Sequence, residues 1–148
     1  MSILVDTNIL VRLIDLTAPA HQTTQLAIAK LRSSSEEIFI VPQNLYEYWV
    51  VATRPVSVNG LGKSAIDAAT ELKSFKTLFT LLDDSPAIYP VWERLVATTG
   101  VVGKKAHDAR LVAAMTVHGV DRVLTFNVQD FRPFPAARAL SPADVLAV

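Results

Sequence analysis

Ser2-Ile3-Leu4-Val5-Asp6 is a short apolar run that ends on an acid, and the polar pair Thr7-Asn8 behind it opens a helical pattern. The run predicts a strand with a carboxylate at its carboxyl end. Residues 37–41 (EIFIV), 77–82 (TLFTLL) and 122–125 (RVLT) predict three more strands, with a further short one near 137–140. Helical patterns fill the gaps. Residues 8–16 and 20–31 read as helix, broken at Pro19. A third helix covers about 43–53, with Pro42 at its first position and Pro55 stopping it. A fourth covers about 63–75, and a fifth runs from a Ser85 cap with Pro86 to about 98. The sixth, 106–118, is ended by Gly119, and a last helical turn lies near the C-terminus. Strands separated by helical crossovers predict parallel pairing and an α/β layered fold. In such sheets the functional crevice lies off the carboxyl ends of the strands.

The composition bounds the chemistry. The chain has 148 residues, 51% of them apolar, which is enough for one domain with a full core, spanning 1–148. No cysteine is present, so disulfides, thiolate nucleophiles, thiolate zinc sites and iron–sulfur clusters are excluded. Fourteen Lys and Arg balance fourteen Asp and Glu, which excludes nucleic-acid binding through a strong global positive field but leaves room for a local patch. No run reaches the about 18 apolar residues of a membrane span. The N-terminus has no basic region and meets an acid at position six, unlike a signal peptide. A cytoplasmic location without membrane contact is the expectation.

Three acids stand out by position. Asp6 ends the first strand, where it can also cap the following helix. Glu47 lies inside Leu45-Tyr46-Glu47-Tyr48-Trp49-Val50-Val51, where an unpaired carboxylate is costly unless it faces solvent, a cation or a proton. Asp108 heads the stripe Asp108, Leu111, Val112, Met115 on the sixth helix. The helix dipole favours an acid in a first turn, but not its place on the apolar stripe. Thr125, Asn127 and Asp130 follow the fourth strand, in a pattern that also suits an Asx-turn. If the elements form a parallel sheet, Asp6, Glu47 and Asp108 converge. Clustered carboxylates repel and favour a hard cation, Mg²⁺ or Mn²⁺, whose natural chemistry is phosphodiester hydrolysis.

Asp6-Thr7-Asn8, Glu47, His107-Asp108-Ala109 and Thr125-x-Asn127-x-x-Asp130-Phe131, in this order, resemble the PIN-domain nucleases. Within them the chain looks most like the VapC-type toxins of bacterial toxin–antitoxin pairs. The resemblance covers essentially the whole chain. It implies a three-layer domain with a central parallel sheet of four to five strands, and Mg²⁺- or Mn²⁺-dependent endoribonuclease activity. It also implies a homodimer and a small antitoxin partner. Asp6, Glu47 and Asp108 match the family's acids, with Asp6 and Asp108 as metal ligands and Glu47 orienting the attacking water. Water attack at the scissile phosphorus would leave a 5′-phosphate and a 3′-hydroxyl. The fourth acidic position falls on Asn127, an amide that brings no charge, a departure that bears on a second metal more than on the first, with Asp130 as a partial substitute. Thr125 and Asn8 look like supporting positions.

Lys104, Lys105 and Arg110 flank Asp108 as candidate contacts to RNA phosphates, with Arg12 and Arg54 as weaker ones. Tyr46, Tyr48 and Trp49 suit base stacking as residue types, but aromatics at this spacing are more often core or dimer interface. Asp83-Asp84 reads as the turn before the fifth helix. Two competing readings stand beside the nuclease. One is a PIN-like RNA-binding module weakened in catalysis by Asn127. The other is an α/β phosphate-binding protein using Gly60-Leu61-Gly62-Lys63-Ser64, which resembles the end of a P-loop but has Ser57 where the first glycine belongs and follows a helix, not a strand.

Overall fold

In the computed structural model, which describes residues 1–148, the first strand β1 (Ser2–Val5) is the middle of a five-stranded sheet. The remaining strands are β2 (Glu37–Ile40), β3 (Thr80–Leu81), β4 (Arg122–Leu124) and β5 (Arg138–Leu140), in the order β3-β2-β1-β4-β5. Every pairing is parallel. Seven helices complete the chain: α1 (Thr7–Ile14), α2 (His21–Ser33), α3 (Pro42–Thr53), α4 (Ala65–Leu78), α5 (Ile88–Thr99), α6 (Lys105–His118) and α7 (Pro142–Leu146).

Both faces of the sheet are covered, because successive strand residues point to opposite sides. Ile3, Val5, Ile38, Ile40 and Leu124 join a core with α1 to α4 and α7. Leu4 and Val123 join a second core with α6 and Ile88 of α5. This is the three-layer α/β arrangement expected from the sequence. The chain winds from β1 to β2 and β3 on one side, then returns to β4 and β5 on the other. The reversal falls between β1 and β4, and such a switch point opens a crevice at the strands' carboxyl ends. Val5 is paired with Leu124 there, so Asp6 and Thr125 leave the sheet side by side.

Several boundaries differ from the sequence expectation by a few residues, and three have a clear physical reason. The strand predicted over 77–82 shrinks to Thr80–Leu81, since Thr77 and Leu78 still belong to α4. Both side chains are exposed there, while Phe75 and Phe79 on either side of them are buried. The fifth helix starts at Ile88, not at Pro86. Ser85 Oγ accepts from Ala87 N at 3.2 Å and Ser85 O from Ile88 N at 3.0 Å, which makes a separate turn before the helix. The first helix stops at Ile14, because Asp15 turns the chain by accepting from Thr17 N at 3.1 Å. Gly119 closes α6 with a φ of 71°, a conformation that favours glycine.

The segment resembling a P-loop has a structural explanation. It follows α3 and a 3₁₀ turn at Val56–Val58. Gly60 is required because a Cβ there would lie 1.8 Å from the Arg54 carbonyl oxygen. Lys63 pairs with Glu71 at 2.9 Å, and Ser64 caps α4.

Candidate active site

Asp6 caps α1, as its position after a strand suggests. Oδ1 accepts from Thr7 N at 2.8 Å. Oδ2 accepts from Thr125 Oγ1 at 2.8 Å and from Asn8 Nδ2 at 3.3 Å. Both oxygens are thus oriented, and Thr125 is fully buried beneath them. Burial pushes the Asp6 carboxyl above its usual range; the Thr125 and Thr7 hydrogen bonds oppose this, and Glu47 and Asp130 add to it.

Glu47 comes from the second turn of α3. Its Oε1 accepts from Thr7 Oγ1 at 2.7 Å, and Oε2 lies 3.5 Å from Gln43 Nε2. Asp108 sits in the first turn of α6, and no hydrogen-bond donor steadies its carboxylate. Burial first, then the charges of Asp6 and Asp130, push its carboxyl up to about 6; Lys105 opposes them, and Glu47 adds the smallest push.

Asp6, Asn8, Glu47, Asp108, Asn127 and Asp130 line one open cleft of about 1090 Å³ at the β1–β4 switch point. No three of these acids are grouped closely enough to hold one ion among them. Like charges without a counterion separate, so an open grouping is what electrostatics favours. Mg²⁺ commonly uses one or two carboxylates and fills its shell with water, and an all-oxygen, mutually repelling set with one bare carboxylate suits that mode.

The basic residues divide. Lys104 lines the cleft and forms no ion pair. Lys105 pairs with Asp130 at 3.0 Å, so its ammonium is engaged beside the cleft and Asp130 acts on Asp6 and Asp108 with a cation at its side. Arg110 pairs with Asp84 at 3.2 Å and donates to Gln43 Oε1 at the same distance. Asp84 is therefore more than a turn residue. Arg12 lines the cleft, held over the Phe126 ring at 4.8 Å. Of the aromatic residues, Tyr48 is core, whereas Tyr46 is 65% exposed.

Thr7 enters the sequence reading only as a member of Asp6-Thr7-Asn8, and Gln43 and Asn44 have no role in it, yet Thr7 and Gln43 contact Glu47 and Asn44 holds Thr7 and the start of α3. Asn44 is fully buried; it donates to Val5 O at 3.1 Å and accepts from Val41 N at 2.8 Å, which docks the start of α3 on the end of β1. The available signal was two amides, at positions 43 and 44, one helical turn before Glu47 in an apolar helix.

The family model of the PIN domain matches residues 3–135. The chain belongs to the PIN domain family. Ribonuclease VapC24 of Mycobacterium tuberculosis (strain H37Rv) is 27% identical over 143 residues, covering 93% of this chain and 94% of the relative. Among solved structures, VapBC-1 from nontypeable Haemophilus influenzae superimposes with a TM-score of 0.72 at 14% identity, covering 97% of this chain and 99% of that one. VapC20 of Mycobacterium tuberculosis, described as a Sarcin-Ricin loop cleaving toxin, gives a TM-score of 0.60 at 18% identity, covering 82% and 86%. These likenesses agree on the fold, and the cleft of this PIN domain contains Asp6, Glu47 and Asp108 together.

Proposed function

We propose that this PIN domain is a divalent-metal-dependent endoribonuclease, the toxin of a toxin–antitoxin pair, acting in the cytoplasm. The observation that carries the reading is that Asp6, Glu47 and Asp108 line one cleft at the β1–β4 switch point, with Asp108 bare of hydrogen-bond donors. Names of relatives support it: a ribonuclease at 27% identity, and a toxin–antitoxin complex from Klebsiella pneumoniae among the structural neighbours. A small antitoxin partner and a homodimer belong to the same reading. No helix is long and apolar enough to cross a membrane.

In this reading Asp6 and Asp108 hold Mg²⁺ or Mn²⁺. Such an ion, when bound, supplies charge neutralisation at the scissile phosphate and acidifies water. The chain's own residues do the rest. Thr125, Asn8 and the Thr7 amide fix the direction of the Asp6 oxygens. Thr7 holds Glu47 by Oε1, and Oε2, which meets only the long 3.5 Å contact from Gln43, keeps a lone pair to accept a proton from the attacking water. Lys104 and Arg12, on the cleft lining, hold the phosphates on either side. Water as nucleophile leaves a 5′-phosphate and needs no 2′-hydroxyl.

Induced expression tests the assignment. Growth arrest with cleaved RNA carrying 5′-phosphate ends is expected, and both are lost in Asp6→Asn. RNA binding without cleavage would favour the weakened module suggested by Asn127, and arrest by Asp6→Asn would contradict the nuclease.

A further inference from the structure

We propose that Gln43 is a positioning residue that sets Glu47 against the helix carrying Asp108, with Arg110 and Asp84 serving it and not the substrate. The inference rests on the metal-dependent reading of the cleft and goes beyond it. Helices α3 and α6 pack on opposite faces of the sheet. Only side chains that reach over the strand ends can tie them together.

Gln43 does this. It is 7% exposed, one turn before Glu47 on α3. Its Nε2 donates to the carbonyl oxygen of His107 at 2.8 Å, the residue before Asp108. The same nitrogen lies 3.5 Å from Glu47 Oε2. Its Oε1 accepts from Arg110 Nη1 at 3.2 Å, and Arg110 Nη2 pairs with Asp84 Oδ1 at 3.2 Å. The partners fix the amide's orientation. A flip would set oxygen against the His107 carbonyl and NH₂ against a guanidinium. Gln43 is thus a strut between the two helices that present Glu47 and Asp108, and the Arg110–Asp84 pair locks it. Arg110 has donors committed to both partners, which argues against its use as a phosphate contact.

The test uses the purified full chain. Mn²⁺ affinity is followed by the electron paramagnetic resonance signal of free Mn²⁺, folding by thermal melting, and RNA cleavage by its kcat and KM. Gln43→Leu should bind Mn²⁺ about 10- to 100-fold more weakly, the usual effect of removing a group that orients ligands. Arg110→Leu should weaken binding in the same direction by less, lower kcat and leave KM unchanged; Arg110→Lys should restore both in part. Wild-type affinity in a folded Gln43→Leu would overturn the strut. A raised KM with unchanged kcat and Mn²⁺ affinity in Arg110→Leu would overturn it too, since that is the behaviour of a substrate contact. Should Gln43→Leu not fold, the two Arg110 variants decide. Wild-type protein that binds no Mn²⁺ would be a separate failure, of the metal reading itself, and would remove the strut's purpose with it.

Discussion

Thr125 Oγ1 donates a 2.8 Å hydrogen bond to Asp6 Oδ2 across the seam where β1 and β4 end. The same hydroxyl oxygen accepts from Asn127 N at 3.0 Å and from Asn8 Nδ2 at 3.2 Å. One buried hydroxyl therefore orients the acid of the first strand and the loop after the fourth. Thr125→Val keeps the shape and removes the polar atom. It should cost about 1–3 kcal/mol of stability through the donors left unpaired. Cleavage should fall about 10- to 100-fold, because Asp6 loses its orientation. Thr125→Ser should retain most of both. A thermal melt and a cleavage assay on the three proteins check this.

The raised carboxyl of Asp108 makes stability pH-dependent in a defined direction. Its ordinary value is 3.8 and the folded chain holds it at about 6, so between these values the folded state keeps a proton that the unfolded state releases. The contribution of this group is present at low pH and is lost as pH rises to about 6. Asp108→Asn removes the penalty. In chelator, its melting temperature should gain on the wild type as pH rises from 4 to 7 and stay level above that. A gap that does not change with pH would contradict the raised carboxyl, to which burial contributes most and the neighbouring acids add.

Asn127 lines the same cleft without charge. Asn127→Asp adds a carboxylate near Asp6 and Asp108, so repulsion in the metal-free chain increases. The melting temperature in chelator should drop, and added Mn²⁺ should raise it by more than in the wild type, following the linkage between binding and folding. Differential scanning fluorimetry with and without Mn²⁺ reads both effects.

Tyr48 separates core from substrate contact. Its ring packs edge-on against Phe75 at 4.8 Å, and its hydroxyl donates to Glu71. Burial, reinforced by Glu71, pushes that hydroxyl well above the usual tyrosine range. Tyr48→Phe should cost about 1 kcal/mol, a typical net hydrogen bond, and leave cleavage and KM unchanged. A raised KM would restore the base-stacking role that its sequence neighbourhood suggested.

The three acids that line the cleft stand out along the chain because each breaks a local pattern. Asp6 closes an apolar run, and Asp108 heads an apolar helical stripe, so each violates a local pattern. Glu47 does so by standing among aromatic and branched residues. What supports them was less legible. Gln43 and Asn44 look like ordinary first-turn polar residues until α6 and β1 are brought against them. The loss of Lys105 and Arg110 to Asp130 and Asp84 is equally tertiary: each pair joins residues that are 25 or 26 positions apart. The short β3 failed for a related reason. Thr77 and Leu78 fit a strand by composition, but helix α4 continues through them before the sheet edge is reached.

The most direct test is RNA cleavage by the purified chain with Mg²⁺ or Mn²⁺, against the same protein in EDTA and against folded Asp6→Asn. The account predicts products with 5′-phosphate ends in the first case and intact RNA in the other two. Undiminished cleavage in EDTA, or by a folded Asp6→Asn, would contradict it.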